Sequence, residues 1–128
     1  MTTAYADASA IVKLLVEEAD SAALAHFIGE FDEVVTSGVG LIETRRAAAR
    51  HGGADEMLAA VAEALGVIEL DEPIATTAAQ LQPPALRTLD SIHIASALAL
   101  YHVDAFVTYD DRLAASAQAA GLPVVSPT

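Results

Sequence analysis

Cysteine is absent from the 128 residues, which excludes disulfides and thiolate zinc sites and suits a reducing compartment. Basic residues are scarce. Six Lys and Arg stand against 18 Asp and Glu, the formal net charge is -12, and Lys13 is the single lysine. Such a balance is poorly matched to a phosphate backbone, because affinity for nucleic acid is largely set by Lys and Arg; it suits a basic partner protein. That objection weakens if the acids gather round a metal, whose charge reverses the local sign. Long hydrophobic runs are missing too: each apolar stretch is broken by charge well before about 18 residues, and the first residues lack the basic and apolar regions of a signal peptide. A soluble cytoplasmic protein with no membrane partner is expected. Without linker, repeat or low-complexity tail, the chain reads as one domain.

What is present is an alternation of short apolar strands and helical patterns, which implies an α/β fold: a parallel sheet with helices on both faces. Thr3 to Ala6 reads as a buried strand ending at Asp7, and Ile11, Leu14 and Leu15 mark the helix after it. A second helix is expected over 21–29. Glu33 to Thr36 makes the second strand, and Ser37 caps a helix that Gly52-Gly53 ends. Asp55 caps the next helix, Val67 to Leu70 is a third strand, and Asp71-Glu72-Pro73 opens a helix that Pro83-Pro84 stops. The stretch 89–113 then supplies a helix with a buried stripe of Ile92, Ala95 and Leu98, ended by His102, followed by a strand over Ala105 to Thr108. Gly121 closes a last helix before the edge strand Leu122 to Val125.

Glycines at 38 and 40 fit neither a dinucleotide fingerprint, whose third glycine is missing, nor a Walker loop, which needs a following Gly-Lys-Ser/Thr; they serve turn geometry. The carboxylates are more informative. Asp7 and Asp110 each follow a strand, where open α/β sheets place their ligands. Asp90 stands at a helix start, as N-cap or metal ligand, and Glu43 lies within the helix after the second strand. Each has an ordinary alternative: a cap for Asp7, a solvated face for Glu43. If the first and fourth strands are neighbours, however, the acids crowd together and repel. A divalent cation resolves that conflict, and oxygen ligands without nitrogen or sulfur select Mg²⁺ or Mn²⁺ over zinc. His93 has no second His or Cys to support a nitrogen-rich site and is expected to be a half-buried packing residue. Arg45, Arg46 and Arg50 concentrate half of the basic residues on one helix, either to meet a phosphate backbone or to pair with neighbouring acids.

Four segments, in order, carry a resemblance: Tyr5-Ala6-Asp7-Ala8-Ser9-Ala10; Ser37 with Glu43 and Arg46-Ala47; Leu89-Asp90-Ser91-Ile92-His93-Ile94-Ala95; and Val107-Thr108-Tyr109-Asp110 leading to Leu113. Over essentially its whole length the chain resembles the PIN-domain ribonucleases, specifically the VapC-type toxins of bacterial toxin–antitoxin pairs. The resemblance implies a three-layer α/β/α PIN-like fold with a central parallel sheet of four to five strands. It carries the family's metal-binding acids onto Asp7, Glu43, Asp90 and Asp110, and its site hydroxyl onto Thr108, with Ser9 a looser candidate. Asp111 is expected to be solvent-exposed. The resemblance further implies a homodimer and a cognate VapB-type antitoxin.

The function expected is therefore Mg²⁺- or Mn²⁺-dependent hydrolysis of an RNA phosphodiester, with Asp7, Asp90 and Asp110 holding one or two ions and Glu43 completing the cluster or helping to deprotonate water. A non-catalytic PIN-fold binding module is the nearest alternative. A receiver-type phosphoacceptor would want paired acids after the first strand and a late Lys, and an aspartyl-phosphate phosphatase would want Asp-x-Asp where Asp7-Ala8-Ser9 stands.

Overall fold

The computed structural model describes residues 1–52 and 55–128. Its centre is β1 (Thr3–Ala6), every residue of which is buried. It pairs in parallel with β2 (Glu33–Ser37) on one side and β4 (Ala105–Val107) on the other. With β3 (Gly66–Ile68) beyond β2 and β5 (Val124–Val125) beyond β4, the sheet has five parallel strands in the order β3-β2-β1-β4-β5. The chain reverses its direction of winding between β1 and β4, the position at which open sheets leave a crevice at their carboxyl ends. This order also excludes the receiver alternative, whose flavodoxin-like sheet runs 2-1-3-4-5.

Strand periodicity sorts the core into two layers. Ala4 and Ala6 of β1, with Ala105 and Val107 of β4, face α1 (Ala8–Leu15) and α2 (Ser21–Ile28) through Ala10, Ile11 and Leu24. Small side chains on that face let the two helices approach the sheet closely. Tyr5 and Phe106 point the other way, stacked with centroids 5.1 Å apart and planes 7° from parallel. They pack with Ile94 and Ala97 of α6 (Thr88–Leu98) and Leu113 and Ala117 of α7 (Asp111–Ala119). Helices α3 (Gly38–Arg50), α4 (Asp55–Ala64) and α5 (Glu72–Gln80) complete the layers, α3 against α1 and β2, α5 against α6. No helix among the described residues is long and apolar enough to cross a membrane.

Several local expectations hold. Ser37 caps α3 by accepting from the Gly40 amide at 3.0 Å, and Asp71 caps α5 by accepting from Ile74 at 2.9 Å. Past α3, Gly52 takes φ of 87°, the left-handed region that favours glycine; Gly53, expected to share that role, lies outside the described residues. Others are corrected. Asp55 is the first residue of α4 rather than its cap. Strand β3 ends at Ile68, leaving Leu70 exposed. The buried set of α6 is not Ile92, Ala95 and Leu98: Leu98 is exposed, whereas Ser91, His93, Ile94, Ala95, Ser96 and Ala97 are all buried. The reason is that α6 is covered on two sides, by the sheet and α3 on one and by α5 on the other, so a single stripe is too narrow a description. His102 lies beyond the end of α6 and pairs with Asp104 Oδ1 at 2.6 Å, while Asp104 Oδ2 accepts from the Thr3 amide at 2.8 Å. It serves the entry into β4, not a helix dipole.

Because Phe106 is fully buried and stacked on Tyr5, Phe106→Ala is expected to cost about 3–5 kcal/mol in urea unfolding. A loss below about 1 kcal/mol would mean that this layer collapses around the deletion.

Candidate active site

Asp7 is the first residue after β1, and its amide still donates to Val107 O at 3.2 Å, so the parallel ladder carries its carboxylate to the β1–β4 crevice. It is 4% exposed. Oδ1 accepts from the Ala10 amide at 3.1 Å and caps α1, so the ordinary cap role is present. The carboxylate does more, however. Ser9 Oγ donates to Oδ1 and Thr108 Oγ1 donates to Oδ2, both at 2.7 Å. Burial pushes the Asp7 carboxyl above its ordinary range, against the lowering effect of the Ser9 and Thr108 hydroxyls.

Thr108, fully buried just past β4, also accepts from the Asp110 amide at 3.1 Å, so one hydroxyl joins Asp7 to the loop bearing Asp110. Ser9, the looser candidate, is also held: its oxygen accepts from the Tyr109 amide at 2.8 Å while its proton goes to Asp7. Asp110 Oδ1 caps α7 through the Arg112 and Leu113 amides at 2.9 and 3.1 Å. Partial burial pushes its carboxyl up, but the Leu113 amide and the Arg87 guanidinium outweigh that and hold it below the ordinary value. Asp111, as expected, is exposed.

Asp90 is the third residue of α6, inside its first turn, and Arg87 is the cap residue. The N-cap alternative for Asp90 is thereby removed. Buried to 7% exposure, Asp90 turns Oδ2 to Arg87, whose Nε stands at 2.7 Å and Nη2 at 2.6 Å. The same Nη2 reaches Asp110 Oδ2 at 3.0 Å, so one guanidinium spans two of the predicted acids. Arg87 was not among the residues singled out in the sequence, although its place three positions before Asp90 on one helix turn is a legible signal.

Glu43 joins from α3. Its Oε1 lies 2.6 Å from His93 Nε2, and His93 Nδ1 lies 2.7 Å from the Tyr5 hydroxyl. His93 is 2% exposed, so the half-buried packing residue expected from sequence is a fully buried one bonded to a candidate site acid. The four acids thus fall into two hydrogen-bonded chains: Glu43 through His93 to Tyr5 of β1, and Asp7 through Thr108 to the loop of Asp110 and on through Arg87 to Asp90. Among the described residues no three acids converge closely enough to close on one ion. The donor chemistry nevertheless fits a hard divalent cation: carboxylate and hydroxyl oxygens with no sulfur, and an imidazole whose two nitrogens are both engaged.

The arginines of α3 separate. Arg46 and Arg50 line a shallow groove of about 330 Å³ with Val39, Ile42, Glu43 and Leu89, whereas Arg45 does not. None of the three has an ion-pair partner among the described residues, so the pairing alternative finds no support.

Comparison with known proteins decides the family. The PIN domain model matches residues 4–125. The chain belongs to the PIN-domain family. Within it, this PIN domain is similar to Ribonuclease VapC47 of Mycobacterium tuberculosis (strain CDC 1551 / Oshkosh), 35% identical over 130 residues and covering 96% of each chain. It is also similar to Ribonuclease VapC35 of the same strain, 40% identical over 131 residues with the same coverage. Among solved structures, a chain of a toxin-antitoxin complex from Klebsiella pneumoniae shares the fold at a TM-score of 0.72 and 20% identity, with 98% of each chain covered.

Because burial raises the Asp7 carboxyl, the folded PIN domain binds more protons than the unfolded chain just above the ordinary Asp range. Stability contributed there falls as pH rises. Without added divalent ions, Asp7→Asn is therefore expected to melt about 3 °C above the parent at pH 7, a difference that closes as the pH is lowered to about 4. A lower melting temperature at pH 7 would show that the hydrogen bonds to the carboxylate outweigh its desolvation.

Proposed function

We propose that this chain is a Mg²⁺- or Mn²⁺-dependent endoribonuclease, the toxin of a toxin–antitoxin pair, acting in the cytoplasm to inhibit growth or translation. The observation that carries the reading is the acid network at the β1–β4 crevice, whose donors are all oxygen, in a chain related over 96% of its length to VapC ribonucleases. Asp7, Asp90 and Asp110 would hold one or two ions, directly or through water. When bound, a divalent cation lowers the pKa of water and offsets charge developing on the phosphoryl oxygens. Ser9 and Thr108 orient the Asp7 carboxylate through both oxygens. Glu43, held through Oε1 alone, keeps its second oxygen to accept a proton from the attacking water. With water as nucleophile the products carry 5′-phosphate and 3′-hydroxyl ends.

Arg46 and Arg50, beside Glu43 in the open groove, offer the phosphate backbone its contact; Arg45, off that groove, does not. The acidic balance of the rest of the chain suits a basic partner, and a VapB-type antitoxin fills that description. A homodimer is the assembly proposed.

Two experiments test this. Cleavage of RNA by the purified chain is expected to stop in EDTA and return with Mg²⁺ or Mn²⁺, to fall to background in Asp7→Asn, and to fall by about 100-fold in Glu43→Gln; undiminished cutting in EDTA sinks the reading and leaves a binding module as the better one. For RNA contact, Arg46→Ala with Arg50→Ala should raise KM several-fold and flatten its dependence on salt by about two units of logarithmic slope. Arg45→Ala should do neither, and an equal effect at that position would overturn the assignment of the groove.

A further inference from the structure

His93 is a buried titratable side chain that the proposed hydrolysis leaves without a task. Its side chain is 3% exposed, so it cannot touch RNA. Its edges are nonetheless fully committed: Nδ1 at 2.7 Å from Tyr5 Oη, Nε2 at 2.6 Å from Glu43 Oε1. The ring stands edge-on to Tyr5, with centroids 5.9 Å apart and planes at 79°. Packing keeps it there. A Cβ on Gly40 would fall 2.2 Å from Thr36 Oγ1 and 3.4 Å from His93 Cε1, so the missing side chain lets the first turn of α3 close on Thr36 beside the ring.

The Glu43 carboxylate decides the hydrogen-bond directions. The Tyr5 phenol is fully buried and carries its proton at neutral pH, as a phenol ordinarily does. The phenol stacks flat on Phe106 and brings its oxygen within 2.7 Å of Nδ1. The Glu43 carboxylate only accepts and so requires the imidazole proton on Nε2, which in the neutral ring leaves a lone pair on Nδ1 to take the phenol O–H. The opposite tautomer would set a nitrogen lone pair against a carboxylate oxygen at 2.6 Å, an arrangement with no proton between two acceptors.

We propose that His93 is a positioning residue for Glu43: Tyr5 fixes its Nε2–H tautomer, and that N–H holds Oε1 so that the other carboxylate oxygen faces the reacting water. The inference rests on the reading of Glu43 as a site residue and extends it two residues inward, to β1. In this arrangement the strand that delivers Asp7 also sets the orientation of Glu43, through Tyr5 two positions earlier.

The first test needs neither metal nor turnover. Imidazole ¹⁵N shifts of the wild-type protein are expected to show the proton on Nε2 and a lone pair on Nδ1 for His93, and Glu43→Gln should move the Nε2 signal. The reverse tautomer, or an Nε2 signal indifferent to Glu43→Gln, overturns the proposal even if every His93 variant fails to fold. The second test is kinetic. His93→Leu is expected to lower kcat about 10-fold, as loss of an orienting partner does, with KM for RNA unchanged. His93→Gln, which keeps a donor near the Nε2 position, should recover part of that loss, and His93→Leu should cost nothing further in the Glu43→Gln background. A full additive loss in the double variant, or wild-type kcat in His93→Leu, refutes the positioning while leaving the role of Glu43 intact. If Glu43→Gln itself cuts RNA like the wild type, the reading of Glu43 fails and the positioning falls with it.

Discussion

Bringing carboxylates together at the edge of a sheet sets the terms for everything else in this molecule. Like charges at close range raise one another's energy, and burial raises it further. Asp7 is the extreme case, 4% exposed and fed by two hydroxyls and one amide. Those donors do not remove the cost of burial, since its carboxyl stays above the ordinary range. They hold the charge in one orientation. A group so held is of little use to stability, and its retention fits the general pattern in which a functional site is the strained part of a fold.

The three remaining acids are compensated by means set by where each acid sits. Asp110 is at a helix start, where two backbone amides of α7 donate to its carboxylate and Arg87 pairs with it. Asp90, within the first turn of α6 and largely buried, takes a guanidinium from three positions upstream. Glu43, on a helix remote in sequence, is met by an imidazole. Arg87, the cap residue of α6, and His93, within it, lie on either side of Asp90, so this helix and its cap supply one acid and the partners of two others.

Much of the architecture was legible because parallel strands buried on both faces and helices between them leave a plain period in the sequence. Errors fell where two elements share a helix: Leu98 was assigned to the interior and proved exposed, while His93 and Ser91 proved buried, because α5 covers a side of α6 that a single apolar stripe cannot reveal. His102 was misplaced for a related reason. Its partner Asp104 is two residues away, but the loop that pairs them exists only because Asp104 is itself tied to Thr3, about a hundred positions earlier in the chain.

By itself the sequence determined the residue types and the order of the strands' chemistry: oxygen ligands without thiolates, an acid immediately after β1, hydroxyls at 9 and 108, and arginines gathered on one helix. These are local facts, carried by composition and by short-range spacing. Only the tertiary structure decided which groups meet. That Arg87 spans Asp90 and Asp110, that Tyr5 reaches Glu43 through His93, and that Arg45 leaves the groove its neighbours line are consequences of strand order and helix rotation. A linear pattern cannot specify them, because the distances involved are closed by packing between segments 23 to 88 positions apart.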